Sequence, residues 1–227
     1  HGFPQGKVHA IWNGIDPDQY SPEVTDRDRI RAIYEISDDD VLSLFVGRLT
    51  DVKGVLPVVE AWTKVAAVFP EARLVILGVG ELDVAIEKRI EKLRLGGLVS
   101  LRCEFVSEEE RIGHYAAADV CIFPSKYEPF GIVCLEAMAM TKPVVVGARG
   151  LVGFREQVVN EGPMKCGVHV NGASADDIAW GVGQCLKDPE RAAAWGQNGR
   201  RRAISQFTWA ETVRKTLVAY EAMVSGR

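Results

Sequence analysis

Two glutamates, Glu128 and Glu136, stand with seven residues between them in the segment Ser125-Lys126-Tyr127-Glu128-Pro129-Phe130-Gly131-Ile132-Val133-Cys134-Leu135-Glu136-Ala137-Met138. The pattern predicts a strand that ends before this segment, a turn, and a helix that begins near Phe130 and runs through Met140. Apart from Glu136 that helix is apolar, and a lone carboxylate in such a setting is expensive unless something satisfies it. Two readings of Glu136 stay open. It reaches an edge or pairs with an arginine, or it accepts hydrogen bonds from ligand hydroxyls such as those of a ribose. The residues around it on the helix offer no substitute partner. Glu128 falls in the turn, beside the N–H groups of Phe130, Gly131 and Ile132 at the helix start. Such amides can bind sugar hydroxyls or phosphate oxygens. Glutamates placed in this way would touch two ends of one elongated ligand.

A second constellation is Gly47-Arg48-Leu49-Thr50-Asp51-Val52-Lys53-Gly54. Arg48 leaves the end of a predicted strand, and Lys53 stands ahead of the next helix. Both cations can converge on one diphosphate, the arginine bidentately and the lysine as a compact charge. The bland alternative is a pair of solvated loop cations. The segment is not a P-loop, because Gly-x-x-x-x-Gly-Lys-Ser/Thr is absent.

The elements that must position these residues follow an alternating rhythm. Apolar runs at 41–46, 73–77, 99–103, 119–123, 143–146 and 168–170 read as strands. Helical periodicity covers 26–36, 55–69, 81–95 and a stretch starting at Ser107. It resumes at 131–140, 175–186, 189–206 and 209–224. The capping logic is clear at Ser107, which is followed by Glu108, Glu109 and Glu110, acids that the helix dipole favours. Residues 7–22 read as an extended segment and then turns. Strands alternating with helices predict a parallel sheet, and strands apolar nearly throughout predict cover on both faces. The fold class is therefore α/β, a Rossmann-like parallel sheet with helices on both faces. In such a sheet ligands sit beyond the carboxyl ends of the strands. The corners there include Gly47-Arg48, Gly78-Val79-Gly80, Glu104 to Ser107 with Val106 among them, Pro124 to Gly131, and Gly147 to Gly150.

Composition narrows the function. With 227 residues, 47% hydrophobic and 26% charged, the chain can bury one sizeable core. A formal net charge of −4 gives the surface as a whole no attraction for nucleic acid or anionic membrane. No apolar run approaches the ~20 residues of a transmembrane segment. The opening residues lack the basic start and apolar core of a signal peptide, and the first residue is not Met. An excised piece of a longer cytoplasmic protein is expected. Five cysteines without Cys-x-x-Cys spacing fit reduced structural thiols, and four scattered histidines show no metal-ligand spacing.

The Glu-x7-Glu pattern of Glu128 and Glu136, the Glu-Pro-Phe-Gly wording and the Gly-Arg…Lys-Gly loop resemble the retaining glycosyltransferases of the GT-B fold, family 4 and the glycogen and starch synthases. Trp12-Asn13-Gly14-Ile15-Asp16 resembles the linker into the second domain of those enzymes, and Phe207-Thr208-Trp209 with Tyr220 resembles their ending. The resemblance covers nearly the whole chain and matches only the second half of a GT-B enzyme. It implies an interdomain linker remnant at 1–22, a donor-binding domain at 23–206, and a C-terminal helix at 207–227 that packs back on an N-terminal acceptor-binding domain.

It further implies a donor, a UDP-, ADP- or GDP-hexose with glucose favoured, and an acceptor hydroxyl on a glycan or another molecule. Arg48 and Lys53 would hold the diphosphate and stabilise the leaving group. Glu128 with the backbone of Phe130, Gly131 and Ile132 would hold the sugar, and Glu136 the ribose. Gly47, Gly80 and Val106 would complete the donor site, with the base near the 104–107 corner. Cationic charge at the departing diphosphate takes the place of a metal, so neither metal nor cofactor is expected. The isolated chain is expected to be inactive. The text Gly150-Leu151-Val152-Gly153-Phe154-Arg155-Glu156 departs from the family's Gly-Gly…Glu, and 160–166 reads as a small insertion. Competing readings are a GT-B relative with other chemistry, such as a nucleotide-sugar epimerase or a phosphorylase, and a binding-only domain. A dinucleotide-binding oxidoreductase fails because Asp83 stands where the third glycine of the fingerprint belongs.

Overall fold

The structure, a computed structural model, describes residues 8–23 and 26–225. Six strands form one sheet: β1 (Val41–Val46), β2 (Ala72–Leu77), β3 (Val99–Arg102), β4 (Val120–Phe123), β5 (Val144–Gly147) and β6 (Gly167–Val170). All five pairings are parallel, in the order β3-β2-β1-β4-β5-β6. This is the doubly wound order whose topological switch point lies between the first and fourth strands.

The period-2 alternation of a strand divides β1 between two cores. Leu42, Leu44 and Val46 join one, with Tyr115, Phe123 and Met138. Phe45 joins the other, with Trp62, Ile76, Ile122 and Val182. The helices follow that division. On the first face lie α1 (Arg27–Ile33), α4 (Glu108–Ala117), α5 (Ile132–Ala139) and the short α6 (Phe154–Gln157). On the second lie α2 (Val55–Val68), α3 (Asp83–Lys92) and α7 (Ala175–Leu186). α8 (Pro189–Gln206) serves both, giving Ala203 to one core and Trp195 to the other. α9 (Trp209–Val224) closes the chain with none of its residues buried.

Each predicted strand and helix exists, and the differences lie at the ends. α1 stops at Ile33, three residues before the expected limit, where Glu35 turns left-handed at φ 56° and Ile36 N–H bonds back to Arg31. α3 is shortened at both ends. The turn before it docks on Leu49, which donates to Val79 and accepts from Leu82, and Arg94 at φ 56° ends it. Sequence periodicity missed α6 and a 3₁₀ turn at Asp51–Lys53, both too short to show a period. Of the expected opening segment 7–22, residue 7 lies outside the described residues. From Val8 onward it has no strand beyond a single bridge from Ile15 to Thr208.

Candidate functional site

The loops after β1 and β4 meet at the switch point. Lys53, at the end of the 3₁₀ turn, forms an ion pair with the buried carboxylate of Glu128. Lys126 Nζ reaches Asp51 Oδ1 at 2.6 Å, and its backbone N–H donates to Val52 at 2.8 Å. The closeness is built into Gly54, left-handed at φ 73°, where a Cβ would lie 2.5 Å from the Pro124 carbonyl oxygen. A third loop joins from β5: Gly153 N–H donates to the Glu128 carbonyl at 2.6 Å. Tyr127, Glu128, Leu151, Arg155 and Glu156 line an open hollow there, of about 620 Å³.

α5 starts beside this pair. Its N-cap is Gly131, at φ 79°, and no side chain caps the first turn. Ile132 is exposed. Phe130 is fixed from both sides: its ring stacks on Trp12 at 5.8 Å, and its carbonyl accepts from Gln157 at 2.7 Å. A glycine-capped helix with open first-turn amides is a ready anion site.

Arg48 is exposed, and its side chain makes no hydrogen bond or ion pair among the described residues. With Gly47, Glu104, Phe105, Val106 and Arg111 it lines a second cavity of about 160 Å³ beyond β1, β2 and β3. Gly80 is not among the lining residues. It lets the next turn press on β1's exit, where a Cβ would lie 2.4 Å from the Leu49 carbonyl oxygen. The structure thus brings Lys53 to Glu128, and Arg48 to Gly47 and Val106.

Glu136 meets an arginine, as one of its two open readings had it. Its own helix offers no partner, yet other elements supply three. Tyr115 donates to Oε2 at 2.8 Å, Tyr20 donates to Oε1 at 3.1 Å, and Arg111 Nη2 approaches Oε1 at 3.5 Å. Burial, reinforced by the Glu136 charge, raises the pKa of both phenols above the usual tyrosine value, so both stay donors. Tyr20, Arg111 and Tyr115 were not singled out in the sequence. The available signal was Arg111 and Tyr115 at i and i+4 on α4, one face of one helix. Among the described residues no group of three or more His, Cys, Asp or Glu is placed to hold a metal.

Fold and site together define a Rossmann-like α/β domain whose charged cluster sits at the switch point of the sheet. The family model of glycosyl transferases group 1 matches residues 26–202, and the chain belongs to that family. It is 34% identical over 226 residues to an uncharacterised glycosyltransferase of Methanocaldococcus jannaschii, covering 96% of this chain and 55% of that protein. It is 32% identical to a GDP-mannose-dependent alpha-(1-6)-phosphatidylinositol monomannoside mannosyltransferase of Mycolicibacterium smegmatis, covering 91% of this chain and 54% of that protein. The chain spans about half the length of the curated relatives it matches. In fold it is similar to Anabaena HepE, a structure in complex with UDP-glucose, at TM-score 0.80 and 22% identity, over 96% of this chain and 57% of that one. No helix among the described residues is long and apolar enough to cross a membrane.

Proposed function

We propose that the chain is the donor-binding half of a retaining, metal-independent glycosyltransferase. Its substrate is a nucleotide sugar, a UDP-, ADP- or GDP-hexose with glucose favoured, and the acceptor is a hydroxyl on a glycan or another molecule. The observation that carries the reading is the Lys53–Glu128 ion pair at the switch point, beside the open first turn of α5. In this reading the diphosphate takes Lys53 from Glu128, with Arg48 on its other side, and the cations stabilise the charge that builds on the leaving group. Glu128, released, accepts from the sugar hydroxyls, and the amides at Phe130, Gly131 and Ile132 hold the sugar from below. The base enters the cavity of Gly47, Arg48 and Val106, with Gly80 shaping the neighbouring turn. Glu136 addresses the ribose.

The relatives support transfer from a nucleotide sugar without fixing the nucleotide, since one is named for GDP-mannose and another was solved with UDP-glucose. Their length supports an N-terminal acceptor-binding domain facing this one, with 1–22 as the remnant of the linker, 23–206 as the donor domain and 207–227 returning to the partner. Free thiols at all five cysteines fit a cytoplasmic protein.

The test is calorimetric titration of the chain with UDP, ADP and GDP, followed by product analysis with the matching radiolabelled sugar nucleotide. Modest binding of one diphosphate is expected, because half a cleft stays wet and its charges are screened. No multiple turnover is expected. Turnover by this chain with an acceptor present would sink the claim that an opposing domain is needed.

A further inference from the structure

Arg111 occupies a position that the two glutamates and the two loop cations leave unexplained. It is the member of the Glu136 cluster that lines the cavity beyond β1, β2 and β3, whereas Glu136 itself is 5% exposed and does not line it. A ligand in that cavity meets the guanidinium before the carboxylate. The guanidinium is held by one nitrogen only. Nη2 donates to the Tyr20 hydroxyl at 2.7 Å and to Glu108 Oε1 at 3.2 Å, and lies 3.5 Å from Glu136 Oε1. Nη1 makes no hydrogen bond among the described residues, and Nε is buried without a partner. A guanidinium carries five N–H donors in a fixed fork. Here Nη2 is clamped, Nε is enclosed, and the Nη1 donors of a residue that lines the cavity remain unused.

The clamp is itself well built. Tyr20 comes from the opening segment, Arg111 and Tyr115 from α4, and Glu136 from α5. These three parts of the chain are fixed together by four side chains on the first face of the sheet. Tyr20 and Tyr115 pack edge to face with ring centroids 6.4 Å apart. Leaving a buried donor or acceptor unmade is more expensive than making one is favourable. Arg111 and Glu136 therefore behave as one unit: removing either leaves the other with an incomplete shell.

We propose that Arg111 is a specificity-determining residue, which donates from its free Nη1 edge to a ribose hydroxyl oxygen of the bound nucleotide while Tyr20, Glu108 and Glu136 hold Nη2. A ribose hydroxyl would then meet a donor in Arg111, with the buried Glu136 setting that donor's position from behind, a contact that is lost when the 2′ hydroxyl is absent. The proposal rests on the donor-site reading above and adds to it the group that reads the ribose.

The experiment measures affinity by calorimetry for UDP, ADP and GDP, each against its 2′-deoxy form, in the wild type and in Arg111→Met, Arg111→Lys, Glu136→Gln and the Arg111→Met/Glu136→Gln double variant. The wild type is expected to favour the ribo form of whichever diphosphate binds. Arg111→Met is expected to lower that preference at least fivefold, as far as Glu136→Gln does. The double variant is expected to lose no more than either single one, since coupled residues are not additive. A merely structural role would weaken the ribo and deoxy forms alike and leave their ratio untouched. Arg111→Lys keeps the cation beside Glu136 and guards against a folding defect. One ammonium cannot both fill the clamp and reach the ligand, so its ratio should also fall. A wild-type ratio in Arg111→Met or Arg111→Lys, or additive losses in the double variant, overturns the proposal while the donor site stands. A ratio near one in the wild type overturns the ribose assignment and this proposal with it. Failure of all three diphosphates to bind overturns the donor-site reading itself.

Discussion

Lys53 and Glu128 each expose little of their side chains, 17% and 9%, and in the free chain they neutralise one another. In the proposed donor site, an incoming diphosphate would compete with Glu128 for the lysine, which would tune affinity downward and free Glu128 for a second partner. Lys53→Ala should therefore weaken a nucleoside diphosphate much more than the plain nucleoside. The lost contact is charge-assisted and worth on the order of 1.5–3 kcal/mol, roughly 10- to 100-fold in affinity. Calorimetry with the two ligands decides it, and equal losses would reduce Lys53 to a structural partner of Glu128. At this scale the sequence was legible where the chemistry is local. Glu128, Phe130 and Glu136 announce themselves within one turn-to-helix segment. The shell around Glu136 was not legible, because Tyr20 lies 116 positions away from it and only the fold brings them together.

The helices whose limits were read correctly carry their own start signals. Ser174, Asp188 and Thr208 each accept from the backbone N–H three residues on, and α7, α8 and α9 begin where the capping side chains dictate. α5 has no such side chain. Its start depends on Gly131, where a Cβ would fall 2.1 Å from a ring carbon of Phe154, in a left-handed backbone. Gly131→Ala should lose about 2–4 kcal/mol, from backbone strain and from displacing a fully buried ring. Urea unfolding measures this, and an unchanged midpoint would mean that the α5 start is loose.

The α1–α4 contact carries a pH dependence. Burial lowers the His114 pKa below its ordinary 6.5. The ring is locked between the Glu110 carbonyl at 2.7 Å and the Tyr34 hydroxyl at 2.8 Å, with Arg102, Arg29 and Asp26 around it. The unfolded chain then takes the proton more readily than the folded one. The neutral ring's full contribution is present above pH 6.5 and shrinks as the pH falls through that value. His169 is shifted the same way for the same reason. The unfolding free energy from urea titrations should drop from pH 7.5 to 5.5, by at most about 1.4 kcal/mol per pH unit for each histidine. His114→Gln should flatten that slope, and a slope unchanged by the variant would assign the dependence elsewhere.

The whole molecule has two faces of sheet that are fully covered and one helix that is not. The alternation of strands and helices made the covered part readable, since a parallel sheet demands apolar runs and helices on both sides. It could not say what α9 is for, because an amphipathic helix reads the same whether it packs on its own domain or on another. At the start of the helix Thr212 Oγ1 donates to the Trp12 carbonyl at 2.7 Å and Ile15 bridges to Thr208. Beyond that, Val213, Leu217, Tyr220 and Val224 continue from Trp209 at spacings of four, four, three and four, so they share one face. They are 55%, 54%, 61% and 90% exposed. A stripe of that size left open is costly in water and marks a surface meant to be covered. The relatives are nearly twice as long, and on the proposal that an N-terminal domain faces this one, that domain would supply the cover. Val213→Lys, Leu217→Glu and Tyr220→Lys, introduced together, should then leave the thermal stability of this chain almost unchanged, within about 0.5 kcal/mol for each substitution. On that proposal, the same triple change in a protein carrying both domains should lower its unfolding temperature, because there the stripe would be buried. Calorimetric scans of both proteins make the comparison. A large loss of stability already in the short chain would mean that α9 packs on its own domain, and the assignment of residues 207–227 to a partner surface would fall.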